Sequence, residues 1–347
     1  MMSPAMNGRH PLRWKVWGRT ILAAVSATVM LIVLFGDALA RPGGVASAPA
    51  STPSTMPTTF KVATFNINYG NPDLKTIAQI IRQADADVVC LQETNDQSER
   101  FLRQQFGKAY PHMTFQAGGG AGGFGVLSKV PLRNVKHLPA KFGWFGTLVC
   151  EANLAGRAVR IVDVHLQPTI PPAKATLPEI LKLWGQAESV RAKEIAYILQ
   201  STDGNLPRII AGDFNAMPGG AAPDALKGKG PADGNAVPAG SAPEFLKGKG
   251  FIDSLAAARP DHAKVTTWKG TFQGLSVGFR LDFIFHTKDI ASTACQVLPT
   301  DASDHDLVVS TLRWAAASQP SSGAAPATAT QPAGIPASPG PTKGAPP

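Results

Sequence analysis

Residues 208–218, RIIAGDFNAMP, constrain the fold of this chain more than any other stretch. Ile209-Ile210-Ala211 is a short apolar run bounded by turn formers, the pattern of a buried strand. It ends at Gly212, and Asp213 and Asn215 follow in a turn. A carboxylate and an amide two residues apart at the carboxyl end of a buried strand form an oxygen donor set suited to Mg²⁺ or Mn²⁺. The same pair also suits a plain Asx-turn closing a strand. Only the rest of the chain separates the two readings.

Strands and helices alternate around this stretch. Phe60–Asn66 (FKVATFN) alternates as a strand, and Asp73 is placed to cap a helix running to Ala84. A buried strand fits Asp87–Leu91, a helix Gln97–Phe106, and strands Thr147–Asn153 and Ala158–His165. Pro178–Gln200 has helical spacing at Ile180, Leu183, Ala187, Ile195 and Leu199, with its proline in the first turn. Further strands fit Thr266–Trp268, Arg280–His286, Thr293–Leu298 and Leu307–Trp314. The glycine cluster Gly118–Gly125 lacks the GK[ST] ending of a phosphate-cradling loop and reads as the approach to a hairpin. Such alternation over 60–314 implies an α/β layered domain.

The flanks differ. Residues 42–59 and 315–347 are Ala/Pro/Ser/Thr tracts whose single charge is Lys343, and such composition predicts disorder, the first tract as a linker. Thr20–Phe35 is sixteen uncharged residues behind four basic ones, which predicts a signal peptide or membrane anchor over 1–41. Ala38-Leu39-Ala40 suits signal peptidase, and the basic flank places the domain outside the cytoplasm whether or not the leader is cut. The net charge of +9 is partly a property of these flanks. Arg9, Arg13, Lys15, Arg19 and Arg41 against Asp37 give +4 and Lys343 gives +1, leaving +4 for the domain. That is mildly basic and does not by itself announce nucleic acid. Cys90, Cys150 and Cys295 sit in apolar settings without CxxC spacing, so buried free thiols are expected.

One repeat follows the 208–218 stretch. APDALKGKGPADG (222–234) and APEFLKGKGFIDS (242–254) align at a spacing of twenty, and only the second leads into a strand-like Phe251-Ile252-Asp253. Residues 219–250 therefore read as an inserted, duplicated surface loop, whose LKGKG segments would form a basic lip near Asp213 and Asn215.

Polar residues at strand ends carry the functional argument. In order they are Asn66 (TFNIN), Glu93 (CLQET), His165 (VDVHLQP), Asp213 with Asn215 (AGDFN), Asp282 (FRLDFIF), and Asp304 with His305 (SDHDLVV). Each alone has an ordinary structural reading. Asp282 is the hardest to dismiss, because a carboxylate inside an apolar strand must pair or work.

These six segments, in this order, resemble the endonuclease/exonuclease/phosphatase superfamily over about residues 60–314, with GDFN, RLDFIF and SDH together carrying the specificity. The resemblance implies a four-layer αββα sandwich of two mostly antiparallel sheets flanked by helices, with the site at one edge. It implies Mg²⁺ (or Mn²⁺) at Glu93, with Asn66 and Asp304 close to the metal. Asp213 and Asn215 resemble the pair that positions water and holds phosphate, His305 the catalytic histidine, and Asp282 the carboxylate that orients it. His165 resembles the second histidine of the nuclease branch. The implied activity is metal-dependent hydrolysis of a phosphodiester by a monomer. Nucleic acid leads among the substrates, then a phospholipid, then an inositol phosphate. A non-catalytic envelope-tethered binding module is the rival from another class.

Overall fold

The computed structural model describes residues 58–71, 73–172, 174–216, 240–272 and 275–316. The leader, most of the linker, the first repeat copy and nearly all of the tail lie outside them. Among the described residues no helix is long and apolar enough to cross a membrane.

The chain opens with β1 (Thr59–Asn66), α1 (Leu74–Ala84), β2 (Val88–Gln92) and α2 (Asp96–Phe106). Both helices begin on the caps their sequences offer. The Asp73 carboxylate accepts from Thr76 N at 3.1 Å. Asn95 accepts from Ser98 N at 2.9 Å while Ser98 Oγ accepts from Asn95 N at 2.8 Å, a reciprocal capping box. Then follow β3 (His112–Gln116), β4 (Phe124–Ser128), β5 (Leu132–Leu138), β6 (Thr147–Leu154), β7 (Arg157–His165), α3 (Leu177–Ser201) and β8 (Arg208–Asp213). The chain continues through α4 (Ala242–Gly248), β9 (Ile252–Asp253), α5 (Ser254–Ala258), β10 (Trp268–Phe272), β11 (Leu275–Phe279), β12 (Asp282–His286), β13 (Ile290–Leu298) and β14 (Leu307–Trp314).

These strands form two six-stranded mixed sheets, ordered β13-β14-β1-β2-β4-β3 and β5-β6-β7-β8-β12-β9, and a β10-β11 ribbon. Each large sheet holds one parallel pair, β1/β2 in the first and β7/β8 in the second; its other neighbours run antiparallel. Three apolar clusters separate four layers. Val62, Val88, Ile161, Ile209 and Val308 pack between the sheets. Phe65, Val89 and Leu91 pack against Ile77 and Ile81 of α1 and Leu102 and Phe106 of α2. Val162, Ile210, Phe283 and Phe285 pack against Ile195 and Ile198 of α3 and Leu246 of α4. The fold is the expected αββα sandwich. Burying each such side chain stabilises it by about 1.5–3 kcal/mol. All three cysteines are free and buried, with the Cys150 and Cys295 thiols lifted by burial to about 12.

Four expectations are corrected. Residues 242–248 of the expected loop 219–250 are helical, because Ser241, Ala242 and Leu246 bury one face. The lysines of this LKGKG copy are engaged rather than presented: Lys247 pairs with Glu244 at 2.9 Å and Lys249 lies over the Phe245 ring. The expected strand at 266–268 starts instead at Trp268 and pairs with β11, while the Thr267 N–H bonds Phe279 O at 2.9 Å and its carbonyl accepts from Asp306 N at 2.7 Å. Residues 280–281 precede β12, with Arg280 bound to buried Asp253 at 2.6 Å.

Helix α3 grips the chain that leaves β7. Arg191 Nη1 donates to Gln167 O at 2.7 Å, and Gln167 N donates to Glu194 Oε2 at 2.9 Å. Burial lifts the Glu194 carboxyl from the ordinary 4.5 to about 7, against the pull of Gln167 N–H and Arg191. An acid raised by folding favours the folded state least when ionised. Stability should therefore fall as pH rises from about 4.5 to about 7. Glu194→Gln, which keeps the acceptor, should flatten that slope in urea titrations run across the window.

Candidate active site

The parallel pairs carry the carboxyl ends of β1, β2, β7 and β8 to one edge of the sandwich. The antiparallel neighbours bring the amino ends of β12 and β14 to the same edge. Asn66 ends β1, Glu93 follows β2, His165 ends β7 and Asp213 ends β8. Asp282 begins β12, and Asp304 and His305 come just before β14. Each sheet thus contributes half of the site, and the side-chain contacts cross between the sheets.

The innermost contacts form a chain. His305 Nδ1 bonds Asp282 Oδ2 at 2.9 Å, and its Nε2 stands 3.5 Å from Asp213 Oδ2. Asp213 and Asp282 are register partners on β8 and β12. Asn66 Nδ2 donates to Asp213 Oδ2 at 3.1 Å and to Glu93 Oε1 at 3.0 Å. His165 Nε2 lies 3.6 Å from Asp213 Oδ2 and 3.9 Å from Glu93 Oε1. Its Nδ1 lies 3.2 Å from the Ala121 carbonyl. Asn215 donates its backbone N–H to Asp213 Oδ1 at 2.8 Å, and its amide donates to Leu166 O at 3.0 Å.

Backbone conformations serve this packing. Glu93 (φ 60°) and Asn215 (φ 50°) are left-handed, which costs a residue with a Cβ about 1–2 kcal/mol. Tyr69 N–H holds the other Glu93 oxygen at 3.1 Å. Gly212 admits no side chain, because a Cβ there would stand 1.9 Å from the Val164 carbonyl oxygen.

Charge is divided unevenly. Burial raises the Glu93 carboxyl against the hydrogen bonds of Asn66 and Tyr69, and burial raises Asp213 against His305. Burial alone would depress both histidines. For His165 it prevails, and the ring is held below its ordinary value. For His305 the carboxylates of Asp282 and Asp213 outweigh it and lift the imidazolium to about 10.

Asp213, Asp282 and His305 offer ligand atoms within 4.8 Å of one another. Asp282 and His305 are already bonded to each other, so this group is a hydrogen-bonded relay before it is a cation seat. The carboxylate better placed to meet a cation is Glu93, which is partly exposed and whose carboxyl is raised by burial. Carboxylate oxygens of this kind fit a hard divalent cation.

The structure brings together Asn66, Glu93, His165, Asp213, Asn215, Asp282 and His305. Asp304 sits on the exposed rim, held by Asn68 Nδ2 and Trp268 Nε1, both at 3.0 Å, from where its charge adds to the raising of Glu93. The Asn66 amide turns its nitrogen toward the carboxylates, and its oxygen accepts from Asn68 N at 3.0 Å. It bridges Glu93 and Asp213 in this arrangement. Sequence reasoning missed Thr267. Its hydroxyl donates to Asp282 Oδ2 at 2.7 Å and accepts from Leu281 N and Asp282 N, both at 3.0 Å. Nothing in the local string VTTW marks that role.

The αββα sandwich, with acidic residues and two histidines at one sheet edge, is the fold of a phosphoric-ester hydrolase family. The model of the endonuclease/exonuclease/phosphatase family matches residues 63–305, and the chain belongs to that family. No curated protein matches it by sequence. Similar solved structures include an endonuclease/exonuclease/phosphatase from Beutenbergia cavernae, at 19% identity over 74% of this chain and 72% of that one, TM-score 0.51. TDP2 from D. rerio, complexed with single strand DNA product, is 16% identical over 74% of this chain and 100% of that one, TM-score 0.51. SmcL is 18% identical over 74% and 99%, TM-score 0.51. At these identities the likeness concerns the fold.

Thr267→Val should cost about 1–3 kcal/mol in urea denaturation by stranding buried donors and an acceptor, whereas Thr267→Ser should stay near wild type. In the metal-free protein, NMR titration should find His165 neutral at pH 7 and His305 charged until about pH 10. The stability that His305 confers is complete below pH 6.5 and is lost as pH rises through about 10.

Proposed function

We propose that the chain is a divalent-metal-dependent phosphodiester hydrolase of nuclease type, acting by in-line attack of water on phosphorus. The observation that carries this is the buried relay Asp282–His305–Asp213 standing beside Glu93 and His165. A Mg²⁺ or Mn²⁺ ion at Glu93, with Asn66 and Asp304 close by, would polarise a phosphoryl oxygen and offset charge on the leaving alkoxide. Asp213 orients the attacking water and takes its proton at Oδ2, while Asn215 fixes the carboxylate through Oδ1. Asp282 holds His305 so that Nε2–H faces the reacting phosphate, where a fixed positive charge stabilises the developing negative charge. His165 turns Nε2 toward the same point from the other sheet. The water oxygen bonds to phosphorus as the ester P–O bond breaks.

Nucleic acid is the leading substrate, supported by family membership, the mildly basic domain and TDP2 bound to its single strand DNA product. A phospholipid is the second reading, favoured by apolar groups on the rim. Phe142, Trp144 and Ile170 are exposed and line one groove with Gln167, two residues from His165, and exposed Tyr69 follows the opposite strand end. We also infer a domain outside the cytoplasm, from the basic flank and apolar run of residues 9–35. N-terminal sequencing of the exported protein should return Arg41 if the leader is cut.

His305→Ala and Asp213→Ala should each lower metal-dependent phosphodiesterase activity by about 10²-fold or more with the fold retained. Glu93→Ala should abolish saturable Mn²⁺ binding in calorimetry. The panel should hold linear and supercoiled DNA, RNA, sphingomyelin, inositol phosphates and bis-p-nitrophenyl phosphate, each with and without EDTA. Cleavage of DNA alone supports the nuclease, turnover of lipid alone the second reading, and inertness on every ester a binding module.

A further inference from the structure

The glycine-rich stretch 118–125 and the loop between β5 and β6 supply no group to the proposed reaction, yet both reach His165. The Ala121 carbonyl lies 3.2 Å from His165 Nδ1. A carbonyl only accepts, so Nδ1 carries the proton and Nε2 is left as the atom facing Asp213 and Glu93. Phe145 stacks on the same imidazole, with centroids 4.1 Å apart and planes 19° from parallel. Phe145 in turn lies against Gly122, where a Cβ would stand 3.5 Å from its ring. One tight turn, closed by Gly122 N donating to Gly119 O at 3.0 Å, thus supplies both the acceptor and part of the backing for the aromatic ring. The turn admits no side chain at Gly118, where a Cβ would stand 2.2 Å from the Gly122 carbonyl oxygen.

The two histidines are therefore oriented by different means. His305 is held by a carboxylate, His165 by a peptide dipole and an aromatic face. We propose that the Ala121 carbonyl and the Phe145 ring are positioning elements for His165, fixing it as the Nδ1–H tautomer with Nε2 presented to the substrate phosphate. A carbonyl does this without adding another negative charge beside Glu93, Asp213 and Asp282. Phe145 limits ring rotation and keeps water from one face. Both act through His165 and neither touches the reacting atoms.

The inference rests on the hydrolase reading for its consequence in rate, but its structural half can be read without turnover. Long-range ¹H–¹⁵N correlation of the imidazoles should show wild-type His165 as a single Nδ1–H tautomer. In Phe145→Ala and Gly118→Ala, His165 should become a tautomer mixture while His305 signals stay in place. With the best substrate of the panel, kcat should fall about 10–100-fold in both variants with KM changed less than about threefold. Phe145→Tyr, which keeps the stack, should restore both readouts, a rescue that a space-filling role alone would not tie to the tautomer. A Phe145→Ala protein with the wild-type tautomer and kcat within about twofold of wild type would overturn the proposal. Wild-type inertness on every ester would instead overturn the hydrolase reading, with the tautomer shift still deciding this one.

Discussion

A carboxylate with no solvent exposure, Asp282, sets the terms for this edge of the molecule. It sits on a strand whose next residues, Phe283, Ile284 and Phe285, are all buried apolar groups. An unpaired ion there would cost several kcal/mol, on the order of the whole stability of a domain. Thr267 supplies one hydrogen bond and His305 the other. The imidazolium is then held in charged form by the group it neutralises. From that follows the position of His305 against Asp213, and of Asp213 against Asn66 and Glu93. The order of dependence runs from a buried charge outward to the rim.

The two histidines show how one fold sets two protonation states side by side. Both rings are buried, and burial pushes both toward neutrality. His305 resists because two carboxylates stand within 3.5 Å of its ring nitrogens. His165 does not, because burial outweighs the pull of Asp213 and of the Ala121 carbonyl, and the charge on His305 opposes a second one. Under the proposed hydrolysis, one phosphate would face a charged imidazole and a neutral one.

The fold was legible where the chain obeyed a local rule. Strands buried on both faces announced themselves as Val/Ile runs, and α1 began at the capping Asp73 that its sequence offers. The polar strand ends were legible because a polar residue closing an apolar run has few structural uses, and parallel pairing carries such ends to one edge. The rest failed for identifiable reasons. His112–Gln116 and Leu132–Leu138 are edge strands, half-buried to exposed, so neither shows clean alternation. The β10-β11 ribbon is rich in glycine, and only its first residue, Trp268, fell within an expected strand. Ala242–Gly248 is short, has a proline in its first turn and ends in a glycine, and becomes a helix because α3 and β9 receive its buried face. Thr267, Ala121 and Phe145 were invisible because their roles exist only between elements distant in sequence. Asp304 was read as close to the metal, and its bonds on the rim are to Asn68 and Trp268, neither of which flags a partner.

The division of the site between two sheets has a consequence for how the molecule can fail. Asn66, Glu93 and His305 travel with one sheet, and His165, Asp213 and Asp282 with the other. Neither sheet holds a working fragment, and the bonds that matter span an apolar seam rather than a hydrogen-bonded ladder. Apolar contact resists separation but is indifferent to a small slide, since one methyl group serves as well as the next. The directional contacts at the edge are what pin the slide. Chemistry and alignment are therefore one set of interactions: a change that loosens the seam silences the site while each sheet is still intact, and a ligand gripping both halves acts as a rivet through the sandwich.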